Sequence, residues 1–396
     1  MAGRRRTRIS PVTGVLALCA LLISLVSCGG PPAPDTGRAD VQLLLDRRAQ
    51  ALLAGDTAGG YENVRAVPLA AWSYRVTEVG APSASGDTLT ADAELSYQIE
   101  GYDAAPVTTA RTLTLTRAAE GAWQVASDRP ASGSGQQLWD QGAVSVVRGA
   151  HSLVMGVGSS EQSLRDFADL ADRAVPAVSD AWGTEWGQHV LVLVPESLEG
   201  MAGLLGSSAS SYQGIAAVTT GEVGGGSAPA DRIIVNPEAY AVLGTSGKQI
   251  VLTHETTHVA TRAHTDAATP LWLSEGYADW ASYRDTGRAP TEVAPELTRA
   301  VASGDLPQSL PADDDFGFTD DATTLARAYE SGWLACRMIA DHWGEPLLNA
   351  FYQEVATHDT REGAVSAALI KILDMTEEEF TREWRDYAVG VLAAGE

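Results

Sequence analysis

Val251-Leu-Thr-His254-Glu255-Thr-Thr-His258-Val259 is followed, after a short break, by Pro270-Leu-Trp-Leu-Ser-Glu275-Gly-Tyr-Ala-Asp279-Trp280. On a helix, residues four apart stack on one face, so His254 and His258 can grip one ion between them. Glu255 follows the first histidine directly and points into the same cleft, where a metal-bound water would sit. The chain holds only seven histidines, few enough that this spacing around a glutamate is uncommon by chance.

Zinc in a hydrolase usually takes three protein ligands and leaves a fourth position for water. Two residues compete to be the third. Glu275 lies on a second predicted helix, for which Pro270 suits the first turn. Asp279, one turn beyond Glu275, can accept a hydrogen bond from the far nitrogen of a ligand histidine, His254 in the first instance, and so fix its tautomer. The rival is His264, which stands where the metzincin pattern His-Glu-x-x-His-x-x-Gly-x-x-His puts its third histidine. There Thr261 occupies the glycine position, and a β-branched residue resists the sharp turn that the glycine permits. The next methionine, Met338, falls inside a predicted helix and makes a poor methionine turn. Glu275 is therefore the preferred third ligand.

These residues resemble the gluzincin metallopeptidases. Trp272-Leu-Ser-Glu275-Gly-Tyr-Ala is similar to the Trp-Leu-Asn-Glu-Gly-Phe-Ala segment of the aminopeptidase N family, and Glu275 with Asp279 to the Glu-x-x-x-Asp pattern of thermolysin. Downstream, Tyr329-Glu330-Ser331-Gly332 is similar to the Tyr-Glu-Lys-Gly of aminopeptidase N relatives. The resemblance implies a thermolysin-like zincin domain with a small sheet and a helical C-terminal part, a zinc cofactor, a peptide or protein substrate, and a transition-state role for Tyr329. The Gly-x-Met-Glu-Asn motif that reads a free amine in that family has no counterpart; Gly221-Glu222-Val223 is the nearest acidic stretch. The chain looks more like the broader peptidase MA-like group of compact gluzincin domains.

Around this centre the chain divides into an α+β arrangement. Ala143 to Val147, His189 to Val194 and Arg232 to Asn236 read as strands, and Gln162 to Trp182 as a helix with Leu164, Phe167, Leu170, Val175 and Val178 near one face. The strand at Arg232 to Asn236 is expected to offer an edge to an extended peptide. Gly203 to Gly226 is rich in glycine and serine and reads as irregular. From Ser246 onward the sequence is almost wholly helical, and residues 140–396 are assigned to the metallopeptidase domain. Cys336 lies in that helical part as a small buried residue.

The front of the chain is different. Residues 39–55 show helical spacing, with Leu43, Leu44, Leu45 and Leu52 on one side. Four β-rich runs follow, Ala71 to Thr77, Thr88 to Tyr97, Ala110 to Thr116 and Ala122 to Ala126, with turns at Gly86-Asp87 and Glu120-Gly121. A helix followed by an antiparallel sheet over residues 39–130 resembles the small nuclear transport factor 2-like α+β domains, read as a spacer or binding module. Residues 131–139, rich in glycine and serine, form a linker.

At the N-terminus Arg4, Arg5, Arg6 and Arg8 precede the apolar run Val15 to Val26, too short to span a bilayer comfortably but right for an export signal. Leu25-Val26-Ser27-Cys28 resembles a bacterial lipobox. The resemblance implies removal of residues 1–27, a lipid on Cys28, a flexible tether over 28–38 and a place at the outer face of the cell membrane. Of the cysteines Cys19, Cys28 and Cys336, only Cys336 then remains free, so no disulfide framework exists. The net charge of −24 repels nucleic acid, and none is expected as a partner. Two competing readings are a zinc-binding but non-catalytic module that reuses the fold for partner recognition, and a structural lipoprotein with a fortuitous motif.

Overall fold

The computed structural model describes residues 36–56, 60–119, 121–220, 231–317 and 322–393. The export signal, Cys28, most of the tether and Gly221-Glu222-Val223 lie outside them. None of the described helices is long and apolar enough to cross a membrane.

The fold is α+β. Helix α1 (Thr36–Leu53) precedes a four-stranded antiparallel sheet of β1 (Leu69–Val79), β2 (Thr88–Ile99), β3 (Val107–Arg117) and β4 (Trp123–Pro130) in sequential order. Three of the β-rich runs fall inside these strands, and the fourth does so from Trp123, with Ala122 just before β4. Alternation places Trp72, Tyr74 and Val76 of β1 on the buried side, where Val41, Leu45, Ala49 and Leu52 of α1 meet them. Leu43, expected on the buried face of α1, is instead 54% exposed. The inward stripe runs through Val41 and Leu45, four apart, and Leu43 lies half a turn from both.

After α2 (Leu138–Gln141) comes a mixed five-stranded sheet, interrupted by helices: β5 (Ser145–Arg148), β6 (Ser152–Gly156), α3 (Glu161–Trp182), β7 (Val190–Val194), α4 (Leu198–Leu205), β8 (Ala217–Thr219) and β9 (Ile233–Val235). Its order is β5-β6-β7-β9-β8, with β6, β7 and β9 parallel and the two edge strands antiparallel to their neighbours. Every residue of β6, β7 and β9 is buried. The cause is a cover on both faces. Leu153, Met155, Leu191, Leu193 and Ile234 pack into the core of the front unit, while Val154, Val190, Val192, Val194, Ile233 and Val235 face α3. That explains the unbroken apolar run in β7, which a one-sided sheet would not need. The expected face of α3, Leu164 through Val178, is buried as read.

Two sequence expectations are corrected here. The strand at Arg232 to Asn236 is not an edge: β9 is held between β7 and β8. The edge is β8, three residues long, within the stretch read as irregular. So short a strand shows no alternation, and its identity comes only from pairing Ala217 with Val235 and Thr219 with Ile233.

The remainder is helical: α5 (Pro237–Ala241), α6 (Thr245–Thr261), α7 (Leu271–Tyr283), α8 (Pro290–Val293), α9 (Pro295–Ser303), α10 (Ala322–Trp343), α11 (Glu345–Val355), α12 (Ala364–Ala368) and α13 (Glu377–Ala393). A third core, including Trp272, Tyr277, Trp333, Phe351, Phe380 and Trp384, binds these helices together. Cys336 is fully buried within it, as expected of a small apolar side chain.

Candidate metal centre

Helix α6 carries the histidine pair and has little hydrophobic character on its buried side. Thr253, Thr256, Thr257 and Thr261 are all buried there. A buried hydroxyl needs a partner, and the helix supplies two from within: Thr253 Oγ1 donates to the Gln249 carbonyl at 2.9 Å and Thr257 Oγ1 to the Thr253 carbonyl at 2.8 Å. Helix α7 begins one residue after Pro270, where Asp313 Oδ1 accepts the Leu271 N–H at 2.9 Å. Carboxylate capping of this kind satisfies an orphan donor of the first turn.

The two helices bring three ligand atoms together. His254, His258 and Glu275 present a donor set whose members all lie within 4.8 Å of one another. His254 Nε2 and His258 Nε2 are 3.0 Å apart, and Glu275 Oε2 is 3.2 Å from the first and 3.6 Å from the second. Three ligands on a tetrahedral zinc with bonds near 2.1 Å would stand about 3.4 Å apart, so the spacing fits. A second sign is chemical. Glu275 is 4% exposed, and among the described residues its Oε2 meets only the ring nitrogens of His254 and His258. A buried carboxylate oxygen is costly to leave unpaired, and a cation at this point satisfies it.

The surroundings orient the set. His254 Nδ1 lies 2.9 Å from Asp279 Oδ1, so the ring donates its Nδ1–H to that carboxylate and turns the Nε2 lone pair toward the other two ligands. Burial favours the neutral ring of His254, but its bonds to Asp279 and Glu275 outweigh this and raise its pKa well above the ordinary value. Burial likewise works against the Glu275 carboxylate, yet the charge of His258 and the bond to His254 hold its pKa well below the usual range.

Glu255 is 5% exposed, and its Oε2 accepts a hydrogen bond from Thr219 Oγ1 at 2.8 Å. Thr219 is the last residue of the edge strand β8 and is fully buried. This partner is invisible to motif reading, because it comes from a three-residue strand in a glycine-rich stretch. His264 is not part of the trio. It sits in a short turn after α6 and packs edge-on against Trp182, ring centres 5.7 Å apart.

Tyr329 lies on α10, partly buried, its ring edge-on to Phe316 at 5.2 Å. The next residue, Glu330, turns away from it and caps α9, accepting the N–H groups of Glu296 and Leu297 at 3.1 and 2.7 Å. Two cavities, of about 560 and about 500 Å³, contain none of the three ligands: one opens around Arg48, Trp72 and Arg111, the other around Trp272, Arg361 and Phe380.

No family model matches the chain, and no curated protein does. Among solved structures it is similar to an M1 zinc metallopeptidase from Deinococcus radiodurans, at 12% identity and a TM-score of 0.37, over 80% of this chain and 92% of that one. An alanine mutant of an M1 zinc metallopeptidase from the same organism, bound to a Tyr-Ser-Ala substrate, matches at 12% identity and a TM-score of 0.34, over 80% and 93%. A two-domain M1 zinc metallopeptidase bound to L-arginine matches at 12% and 0.36, over 82% and 94%. The metal centre stands on its own distances.

Proposed function

We propose that the protein is a zinc-dependent peptidase of the gluzincin type, exported and held at the outer face of the cell membrane by a lipid on Cys28. The observation that carries the catalytic part is the convergence of His254, His258 and Glu275, within 4.8 Å of one another, from two separate helices.

Zinc bound there would polarise the scissile carbonyl and supply a water acidified toward ~7. Glu255 takes the proton from the attacking water and returns it to the leaving amine. Thr219 occupies one oxygen of that carboxylate, which leaves the other for the proton. Asp279 holds His254 in the tautomer that ligates. The Tyr329 hydroxyl donates to the developing oxyanion. An extended peptide would pair with β8, the edge strand beside α6. Residues 39–130 form a nuclear transport factor 2-like domain ahead of the peptidase domain at 140–396, and the partner is a peptide or protein, not nucleic acid.

The test of the chemistry is Glu255→Gln. Hydrolysis of a broad peptide library should fall at least about a hundredfold, the scale of general-base catalysis, while zinc content stays at roughly one ion per chain. Unchanged turnover in that variant refutes the assignment. For the anchor, Cys28→Ser should move the protein from the membrane fraction to the soluble one in a bacterial host; retention in the membrane refutes lipidation.

A further inference from the structure

The front unit does more than sit beside the metal centre. The loop after β2 docks onto the second unit through two adjacent residues. Tyr102 packs edge-on against His189, ring centres 5.0 Å apart, at the start of β7. Asp103 enters the interior, its side chain 0% exposed, and pairs with the guanidinium of Arg232, 9% exposed, at 2.6 Å (Oδ1 to Nη1). Asp103 Oδ2 also accepts from Arg232 Nη2 at 2.9 Å and from the Ile99 N–H at 2.7 Å. The carboxylate is therefore fixed to the front sheet on one side and to the residue just before β9 on the other.

Arg232 is bonded in turn to the segment that carries Thr219. The Thr220 N–H donates to the Arg232 carbonyl at 2.9 Å, and the Arg232 N–H donates to Thr220 Oγ1 at 2.9 Å. One residue back, Thr219 holds the Glu255 carboxylate. The path from Asp103 to Glu255 thus has four links, each a hydrogen bond, an ion pair or one peptide unit. Arg262, just past α6, grips the same segment from the opposite side, with Nη2 on the Thr220 carbonyl at 2.6 Å and Nε on Asp231 Oδ1 at 2.9 Å. The edge strand is tied to a cation that directly follows the metal helix and to a cation whose counter-charge belongs to the front unit.

We propose that the front unit is a working part of the catalytic apparatus: Asp103, through Arg232, sets the register of Thr219–Thr220, and Thr219 aims the Glu255 carboxylate. Asp103, Arg232 and Thr219 are positioning residues. The inference rests on the peptidase reading of the site and deepens it. Its physical basis is that the other groups Arg232 bonds among the described residues, the Asp231 carbonyl at 3.2 Å and the Tyr97 hydroxyl, are neutral. Without Asp103 this buried cation loses its ion-paired counter-charge, keeping only the Asp231 carboxylate that Arg262 already holds, and it shifts toward water, taking its backbone pair with Thr220 along.

The experiment uses the full chain. Asp103→Asn alone takes the ion-paired counter-charge from a buried cation and can unfold the protein, so the double variant D103N/R232Q, which removes both charges, is the principal one. With it go T219V, T219S and the triple variant D103N/R232Q/T219V. The expected result in peptide hydrolysis is a kcat lowered roughly tenfold by D103N/R232Q and by T219V, with KM within about twofold and zinc content unchanged. T219S, which keeps the hydroxyl, should retain most of the wild-type kcat. The triple variant should be no slower than T219V, because both changes break one path. Wild-type kcat in D103N/R232Q, or losses that multiply in the triple variant, overturns the proposal. If the wild-type chain hydrolyses nothing, the peptidase reading fails on its own. The brace is then read by amide hydrogen exchange over 215–220: faster exchange in D103N/R232Q supports it, and unchanged exchange overturns it.

Discussion

Gly276 of α7 and Gly332 of α10 meet backbone to backbone. A methyl group on Gly276 would collide with the Gly332 carbonyl, and one on Gly332 would stand 2.5 Å from the Trp272 carbonyl oxygen. The absence of side chains lets the two helices approach closely, and each glycine has a site residue near it in sequence: Glu275 beside Gly276, and Tyr329 almost one turn before Gly332. Gly276→Ala and Gly332→Ala should each cost about 1–3 kcal/mol of stability through overpacking and weaken zinc binding as Glu275 shifts. Gly247→Ala is the control. Its added methyl would meet nothing closer than 3.5 Å, in the first turns of α6. It should be neutral or stabilise by up to about 1 kcal/mol. Denaturant unfolding of the three variants checks the order.

Asp279 is a test of how the ligand ring is held. It lies 2.9 Å from His254 Nδ1 and belongs to α7, one turn beyond Glu275. Asp279→Asn removes the charge and offers an amide that can present the wrong end to the ring. Zinc affinity should fall about 10- to 100-fold, measured by competition with a chromogenic chelator. An affinity equal to wild type would mean that the ring is oriented by packing alone.

Metal removal should be felt in stability. At zinc one hundred times its dissociation constant, linkage contributes about 2.7 kcal/mol to the folded state. A chelator should therefore lower the Tm of the wild-type chain measurably. Glu275→Ala should abolish that difference, since it deletes a ligand, while His264→Ala should preserve it. The reverse pattern would hand the third position to His264.

Glu330 gives a pH dependence of definite sign. Burial pushes its carboxyl up to about 7, against the downward pull of the Leu297 and Glu296 N–H groups. The folded chain thus holds a proton there that the unfolded chain, with a carboxyl near 4.5, has released. Stability falls as pH rises from about 4.5 to about 7, and the loss is complete above that window. Glu330→Gln removes this titration. The Tm of wild type minus that of the variant should decrease across the interval, and a flat difference would show that Glu330 is not protonated in the fold.

Much of this was legible from local patterns. The apolar stripe of α3, the β-rich runs of the front sheet and the fully apolar β7 are each set by contacts that repeat every few residues, so short windows reveal them. Leu43 was misplaced because a cluster of leucines hides which one lies off the stripe. β8 escaped because three residues are too few for a period to show. The internal position of β9 escaped because an apolar strand looks the same at an edge and in the middle of a sheet until its neighbours are known.

Reading residues in order was enough for the histidine pair, since the helical repeat itself puts positions four apart on one face. It also supplied Glu275, Asp279 and His264 as contenders for the ligand set. Glu275 is already preferred over His264 from the residues alone; the packing of α7 against α6 brings Glu275 Oε2 within 3.6 Å of both rings, and His264 lies against Trp182. The same holds for Thr219 with Glu255, 36 residues apart, and Asp103 with Arg232, 129 apart. No periodicity links such distances along the chain. They are joined only when the two sheets and the three cores close, because burial of apolar surface, not local geometry, decides which segments become neighbours.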